Sequence, residues 1–471
     1  MNRLSADAMT RRRLLLAAAA SAGAGTLAAC ATVPNPDAGV DAEARTPIVF
    51  VHGNGDSASI WMTTIWRFES NGWPRDRLHA INMPYPNARA DDAKEQPGSS
   101  STAEHTAYLA AEVKKVLAAT GATKVILIGN SRGGYPIRNF VATGGAAQVS
   151  QVVLGGVPNH GVWAHNGFLP GSEFNGIGPF LTRLNAPQGP NGNEVAPGIR
   201  WLTIRSDGND KYAQPDGVWI GQRGTPTNVG VEGPALKGAD NRVIVSIDHR
   251  ETSFSAQAFV ETWRFLTGRL PPRLTVAPEG TVVLDGTVSG LGLDNRQGSY
   301  TTNLALEGAT VEVYATSAAT GERLGPAKHR KTITSDGRWG PFEADGPQTY
   351  EFVIEAAGYA TTHIYRSPFP RSSRIVSLRA ERLAPADRDA KALVVMSRPR
   401  GYFGVPRDRI VLDGAIPPAG IPSGVAGVSE ARLKVTGNAG RAVAGEFNGE
   451  HIVGRAWPAA ENHFVVLELT N

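Results

Sequence analysis

A serine at position 131 lies in the run Gly129-Asn130-Ser131-Arg132-Gly133-Gly134, directly after the apolar stretch Val125-Ile126-Leu127-Ile128 and ahead of a helical pattern. Glycines two residues either side of a serine let the chain turn sharply from strand to helix. Such a turn holds Oγ at the end of the strand and points the helix N-terminal dipole at negative charge developing beside it. The chemistry this predicts is nucleophilic attack, which needs an imidazole to take the hydroxyl proton and a carboxylate to orient that imidazole. A second run, His52-Gly53-Asn54-Gly55, follows the apolar stretch Ile48-Val49-Phe50-Val51. There the backbone N–H of Asn54, paired with that of Arg132, is the expected oxyanion donor set, and His52 itself reads as structural support.

Between Ser131 and the β-rich half of the chain lie His160, His165 and His249. Only His249, in Asp248-His249-Arg250-Glu251-Thr252, follows an apolar run and precedes a helical pattern, so it is the expected general base. The acid is expected after Trp201-Leu202-Thr203-Ile204, in Arg205-Ser206-Asp207-Gly208-Asn209-Asp210-Lys211. Asp210 lies at the better depth beyond the strand, and Asp207, which could equally cap the turn, stays open as the alternative. Asp216 and Asp248 are more distant candidates.

The three runs around His52, Ser131 and His249 resemble the α/β-hydrolase superfamily, and more narrowly the bacterial true lipases, over about residues 46 to 268. The resemblance implies a mostly parallel sheet with helices on both faces, a triad in the chain order serine, acid, histidine, and an ester substrate, lipid-like or otherwise water-insoluble. The layout, a hydrolase followed by some 200 residues of β structure, is similar to lipases with a C-terminal β lipid-binding domain. The chain departs from that pattern beside the serine, where Asn130 and Arg132 stand in place of the usual histidine and small or apolar residue. Arg132 is therefore expected to bring a charge near the site.

The elements that must position these residues are legible as alternation. From Thr46 to about Gly268, apolar runs at 48–51, 78–81, 125–128, 152–154, 201–204 and 243–245 read as strands buried on both faces, and 103–119 and 254–266 carry helix-period apolar residues. Residues 158 to 198, with Trp163, Phe168, Leu169, Phe174 and Phe180 among glycines and prolines, read either as a lid over the site or as an insertion packed on the sheet. After Arg269-Leu270-Pro271-Pro272-Arg273 the texture becomes alternating strands and turns, an all-β sandwich-like pattern. The expected domains are a catalytic domain at 46–270, a β domain at 275–383 and a second β-rich domain at 388–471, divided near Ala384-Pro385-Ala386-Asp387. Aromatic clusters at Tyr365 to Phe369 and at Tyr402-Phe403, beside Pro and Arg, suit adsorption to an ester-rich surface if exposed.

Composition sets outer bounds. Hydrophobic residues at 41% and charged residues at 19% are ordinary for a folded chain, and 54 glycines with 32 prolines point to many turns. The net charge of +4 sits mostly ahead of Cys30, in Arg3, Arg11, Arg12 and Arg13 against Asp7, and gives no reason to expect a nucleic-acid partner. Residues 1–30 read as an export signal with paired arginines and a short apolar run, and Leu27-Ala28-Ala29-Cys30 resembles a lipobox. The expectation is an exported protein, periplasmic or on the cell surface, anchored to a membrane by a lipid on Cys30, the only cysteine, with 31–45 as a tether. Metal-ligand clusters and phosphate loops are not visible in the sequence, so no cofactor is expected. Three readings follow: a lipase or carboxylesterase, a polyester depolymerase with the β region as adsorption module, or a surface-anchored binding protein without activity.

Overall fold

The computed structural model of the chain describes residues 46–292 and 301–471; the expected leader, Cys30 and the expected tether lie outside the described residues. Six parallel strands form the first sheet: β1 (Ile48–Val51), β2 (Leu78–Ala80), β3 (Val125–Asn130), β4 (Val149–Gly155), β5 (Arg200–Ser206) and β6 (Asp240–Ile244), in the order β2-β1-β3-β4-β5-β6. Strand alternation explains the continuous apolar runs. Ile48, Phe50, Ile126 and Ile128 point into a core with Phe68 of helix α1 (Met62–Ser70), while Val49, Val51, Val125 and Leu127 point into one with Leu109 and Val113 of α2 (Thr102–Thr120). Both faces are buried, so both residues of each pair are apolar.

The helices begin and end where local chemistry dictates. Ser101 and Glu104 form a reciprocal capping box ahead of α2, and Gly121 closes it at φ 66°, a left-handed conformation that costs glycine little. Helix α3 (Gly134–Ala142) follows the Ser131 turn, α4 (Pro179–Leu184) lies within 158–198, and α5 (Glu251–Phe254) and α6 (Ala256–Thr267) follow His249. Strand β6 departs from expectation: it is the sheet edge, and Val243 and Val245 are 53% and 69% exposed. Their apolar run resembles the doubly buried strands in sequence, but the sheet ends there.

The β-rich half is built on one seven-stranded sheet. Its strands are β7 (Thr310–Thr316), β8 (His329–Thr332), β9 (Thr349–Glu355), β10 (Thr361–Arg366), β11 (Ala392–Ser397), β12 (Glu430–Val435) and β13 (His463–Glu468), ordered β8-β7-β9-β10-β13-β11-β12. The expected division near 384–387 falls within this one sheet, since β13 beyond it pairs with β10 before it, and both cores draw residues from either side of it. C-terminal strand β13 sits between β10 and β11, parallel to both, with Phe464 and Val466 in one core and Val465 and Leu467 in the other. The first of these cores also takes in Met62 and Trp66 from α1, and the Trp66 indole N–H donates to the Ser372 carbonyl at 2.9 Å. The aromatic clusters considered for surface adsorption are inside: Tyr365, Phe369, Tyr402 and Phe403 are all buried.

Candidate active site

The sheet order changes direction between β1 and β3, and the crevice beyond the carboxyl ends of two such strands is where open parallel sheets bind ligands. β1 leads there into His52-Gly53-Asn54, and β3 leads into Ser131. Ser131 sits at φ 50°, a left-handed backbone that non-glycine residues adopt at a cost of about 1–3 kcal/mol when their surroundings force it. The forcing contact is close: a Cβ on Gly133 would lie 2.4 Å from the Val51 carbonyl oxygen, so only glycine lets the turn press against the end of β1.

Ser131 Oγ lies 2.9 Å from Nε2 of His249, and His249 Nδ1 lies 2.9 Å from both carboxylate oxygens of Asp210. An ionised Asp210 only accepts, so Nδ1 carries the proton and the Nε2 lone pair faces the serine hydroxyl. Asp210 also caps the short turn Lys211–Ala213, accepting from the Tyr212 N–H, and the Tyr212 ring stands edge-on to the imidazole with centroids 4.7 Å apart. Of the two candidate acids, the structure brings Asp210 to the histidine. Asp207 instead accepts from the backbone N–H groups of Asn209 and Ser246 and holds the turn. Asp216 accepts from the Val218 N–H, and Asp248 faces away from the imidazole into a cluster with Arg398 and Arg407.

His52, His160 and His165 are engaged away from the triad. His52 is buried, its Nδ1–H donating to Gly53 O and its Nε2 accepting from the Met83 N–H, and burial pushes its pKa down. His160 pairs with Glu194, and His165 accepts from the Gly167 N–H. Asn54 lines the site beside Ser131, with its side-chain oxygen accepting from the Ala88 N–H. Arg132 sits at the start of the turn that leads into α3, where the first backbone N–H groups have no partner within the helix.

The expectation that Arg132 charges the site is corrected. Its guanidinium is fully buried and all five of its N–H groups are engaged, two with Glu173, two at Ser100 and one with the Pro86 carbonyl. Burial raises the Glu173 carboxyl and Arg132 pulls it back. The pair is a buried tie between the serine turn and segment 158–198, and it does not reach the cavity. Asn130 is likewise anchored, donating to Ser253 Oγ at 2.8 Å.

Segment 158–198 packs on α3, with Phe174 and Phe180 against Tyr135. Its other residues Trp163, Phe168 and Leu169 line a cavity of about 210 Å³ over Ser131 and His249. Asp56, Tyr212, Trp219, Arg250 and Tyr402 complete the wall. Sequence reasoning missed these. Tyr212 and Asp56 stand within two residues of named motif positions and Arg250 stands inside one, whereas Tyr402, marked in the sequence only as part of an aromatic cluster, comes from the β-rich half.

Residues 46–166 match the family model of the alpha/beta hydrolase fold, and residues 280–383 match that of the lipase C-terminal domain. No curated protein matches the chain. Among solved structures, Aspergillus fumigatus lipase B is similar at 15% identity and a TM-score of 0.33, over 49% of this chain and 54% of that one. Bacillus licheniformis lipase BlEst2 in its propeptide form is 15% identical with a TM-score of 0.33, over 70% of this chain and 92% of that one. Phospholipase PlaB from Legionella pneumophila is 12% identical with a TM-score of 0.31, over 72% and 94%. With its parallel sheet, its serine turn at the end of β3 and the two family matches, the chain is a lipase-like α/β-hydrolase with a C-terminal β-rich region.

Proposed function

We propose that this protein hydrolyses carboxylic esters through a covalent acyl-enzyme, with Ser131 as nucleophile, His249 as general base and Asp210 as the acid that orients it. The observation that carries this reading is the unbroken line of contacts at 2.9 Å from Ser131 Oγ through His249 to Asp210. Oγ attacks the ester carbonyl carbon and its proton passes to Nε2. The oxyanion that forms takes hydrogen bonds from the backbone N–H groups of Asn54 and Arg132, each donor contributing about 3–4 kcal/mol to the transition state. Collapse expels the alkoxide, which leaves as the alcohol with the proton from Nε2. Water then attacks the acyl-enzyme, gives one proton to Nε2, and the acid departs as that proton returns to Oγ.

A cavity of about 210 Å³ walled by Trp163, Phe168, Phe174, Tyr212, Trp219 and Tyr402 is smaller than the roughly 300–1,000 Å³ of drug-sized sites. That size supports a short or aromatic acyl group over a long fatty chain. A panel of p-nitrophenyl esters of increasing chain length, run beside emulsified triglyceride and polyester film, tests the reading. Turnover is expected to peak among the short esters. No turnover on any ester would overturn the hydrolase assignment, and a maximum at long chains would overturn the acyl preference alone.

A further inference from the structure

The loops that bear His249 and Asp210 are both held by one stretch of the β-rich half. On the His249 side, Asp248 Oδ1 accepts from the backbone N–H groups of Arg250 and Glu251, closing the turn that presents the imidazole. Asp248 Oδ2 then accepts from Arg398 Nη1 at 2.9 Å and from the Tyr402 N–H at 2.7 Å. Glu251 accepts from Arg398 Nη2 and from Arg407 Nη1, and its Oε2 also takes the Asp248 N–H. Arg398 and Arg407 thus face Asp248 and Glu251 inside the protein, Arg407 donating also to both carboxylate oxygens of Asp408, and leaving a buried member of such a cluster unpaired is costly. Gly401 completes the fit, because a Cβ there would lie 2.1 Å from Arg398 Nη1.

On the Asp210 side, Asn209 Oδ1 accepts from the Ala426 N–H at 3.1 Å and Lys211 Nζ donates to the Gly427 carbonyl at 2.8 Å. The Lys211 ammonium also lies 3.8 Å from the Tyr402 ring centroid. Residues 402–404 and 426–428 are one unit, joined by Phe403 N–H to Val428 O at 2.7 Å and Gly427 N–H to Phe403 O at 3.1 Å.

We propose that Arg398 and Arg407 are positioning residues for the hydrolytic triad, acting through Asp248 and Glu251 to fix the His249 loop, so that the C-terminal segment is part of the active site. The inference rests on the reading of Ser131 and His249 as hydrolytic machinery. Neither arginine touches the reacting atoms; each sets where the imidazole stands relative to Oγ and Asp210. A displacement of about 1 Å at such a contact costs on the order of 10²-fold in rate.

The test uses the full chain with Arg398→Met and Arg407→Gln. Two quantities are read: kcat per active site, titrated with a phosphonate ester, and the low-field proton NMR signal of His249 Nδ1–H. The expected result for Arg398→Met is a kcat per titrated site lower by on the order of 10²-fold, KM within about twofold, and the Nδ1–H signal lost or shifted. Arg407 is partly exposed, so Arg407→Gln keeps the test open if Arg398→Met fails to fold, and it should show the same pattern at smaller amplitude. A merely structural role would lower the fraction of titratable sites and leave kcat per site and the proton signal unchanged, which would overturn the proposal. If the wild type turns over no ester, the hydrolase reading fails. The Nδ1–H signal then still reports whether the arginines hold His249, and an unmoved signal would refute them on its own.

Discussion

Replacing Glu173 with alanine strips one carboxylate from beneath the serine turn and leaves Arg132 with a buried charge and no counterion. In the intact protein the guanidinium donates through Nε to one Glu173 oxygen at 2.7 Å and through Nη2 to the other at 2.8 Å, and both side chains are essentially inaccessible. Two of five donors lose their acceptor in Glu173→Ala; Ser100 O, Ser100 Oγ and Pro86 O remain for the other three. Removing one member of a buried ion pair costs about 3–5 kcal/mol, because the surviving charge keeps its desolvation penalty. For a compact unit running from Val40 to Asn471, about 1 °C is lost per kcal/mol, so the melting temperature should fall by roughly 3–6 °C. Ester turnover should fall too, since the Arg132 backbone N–H is a proposed oxyanion donor and its side chain would be free to shift. The double variant Arg132→Met/Glu173→Leu removes both charges, and a volume-matched apolar replacement of such a pair is often neutral. It should therefore recover to within about 1–2 kcal/mol of the wild type in urea unfolding. A loss below about 1 kcal/mol in the single variant, or a double variant as unstable as the single, would refute the reasoning.

Asp210→Asn should lower kcat by on the order of 10⁴-fold by destroying the tautomer and orientation of His249, whereas Asp207→Asn, which weakens two backbone bonds in the turn, should cost about 1–3 kcal/mol of stability with kcat within a few-fold. Steady-state kinetics beside urea unfolding of both variants separates the two. Burial, helped by Arg250, pushes the Lys211 amine down to about 8, against about 10.4 in an unfolded chain. Between those values the unfolded state binds more protons than the native one, so the contribution of Lys211 to stability rises with pH across that window, and Lys211→Met should flatten the rise. Export with lipidation predicts that intact-mass analysis of the protein from its native membrane finds a mature N-terminus at acylated Cys30; an unmodified Cys30 N-terminus would contradict it.

What the sequence reveals here is what local pattern encodes. The strand, sharp turn and helix around Ser131 are dictated within ten residues, and the same holds for the β1 turn at His52-Gly53. Depth beyond the strand favours Asp210 without excluding Asp207, because both stand in one turn and only the fold decides which carboxylate meets an imidazole 39 residues further on. Arg132 is legible only as a charge beside the serine for a related reason: its counterion lies 41 residues away in a segment with no regular pattern. The Val243–Val245 run looks doubly buried in sequence because an edge strand and a central one can share an apolar composition. The contacts of Asp248 with Arg398 and Tyr402 span about 150 residues and leave no periodicity to read, so the part played by the β-rich half in the site was invisible. Its aromatic clusters were legible as aromatic and not as buried, since alternation along β10 and β13 feeds two different cores at once.

The central claim is that Ser131 is a nucleophile made reactive by His249. It is tested most directly by reacting the wild type, Ser131→Ala and His249→Ala with a fluorophosphonate probe and mapping the adduct by peptide mass spectrometry. The account predicts one adduct on Ser131 in the wild type, none in Ser131→Ala, and labelling slowed by on the order of 10³-fold or more in His249→Ala, with p-nitrophenyl ester hydrolysis lost in parallel. An adduct on another residue, or hydrolysis that persists in Ser131→Ala, would contradict it.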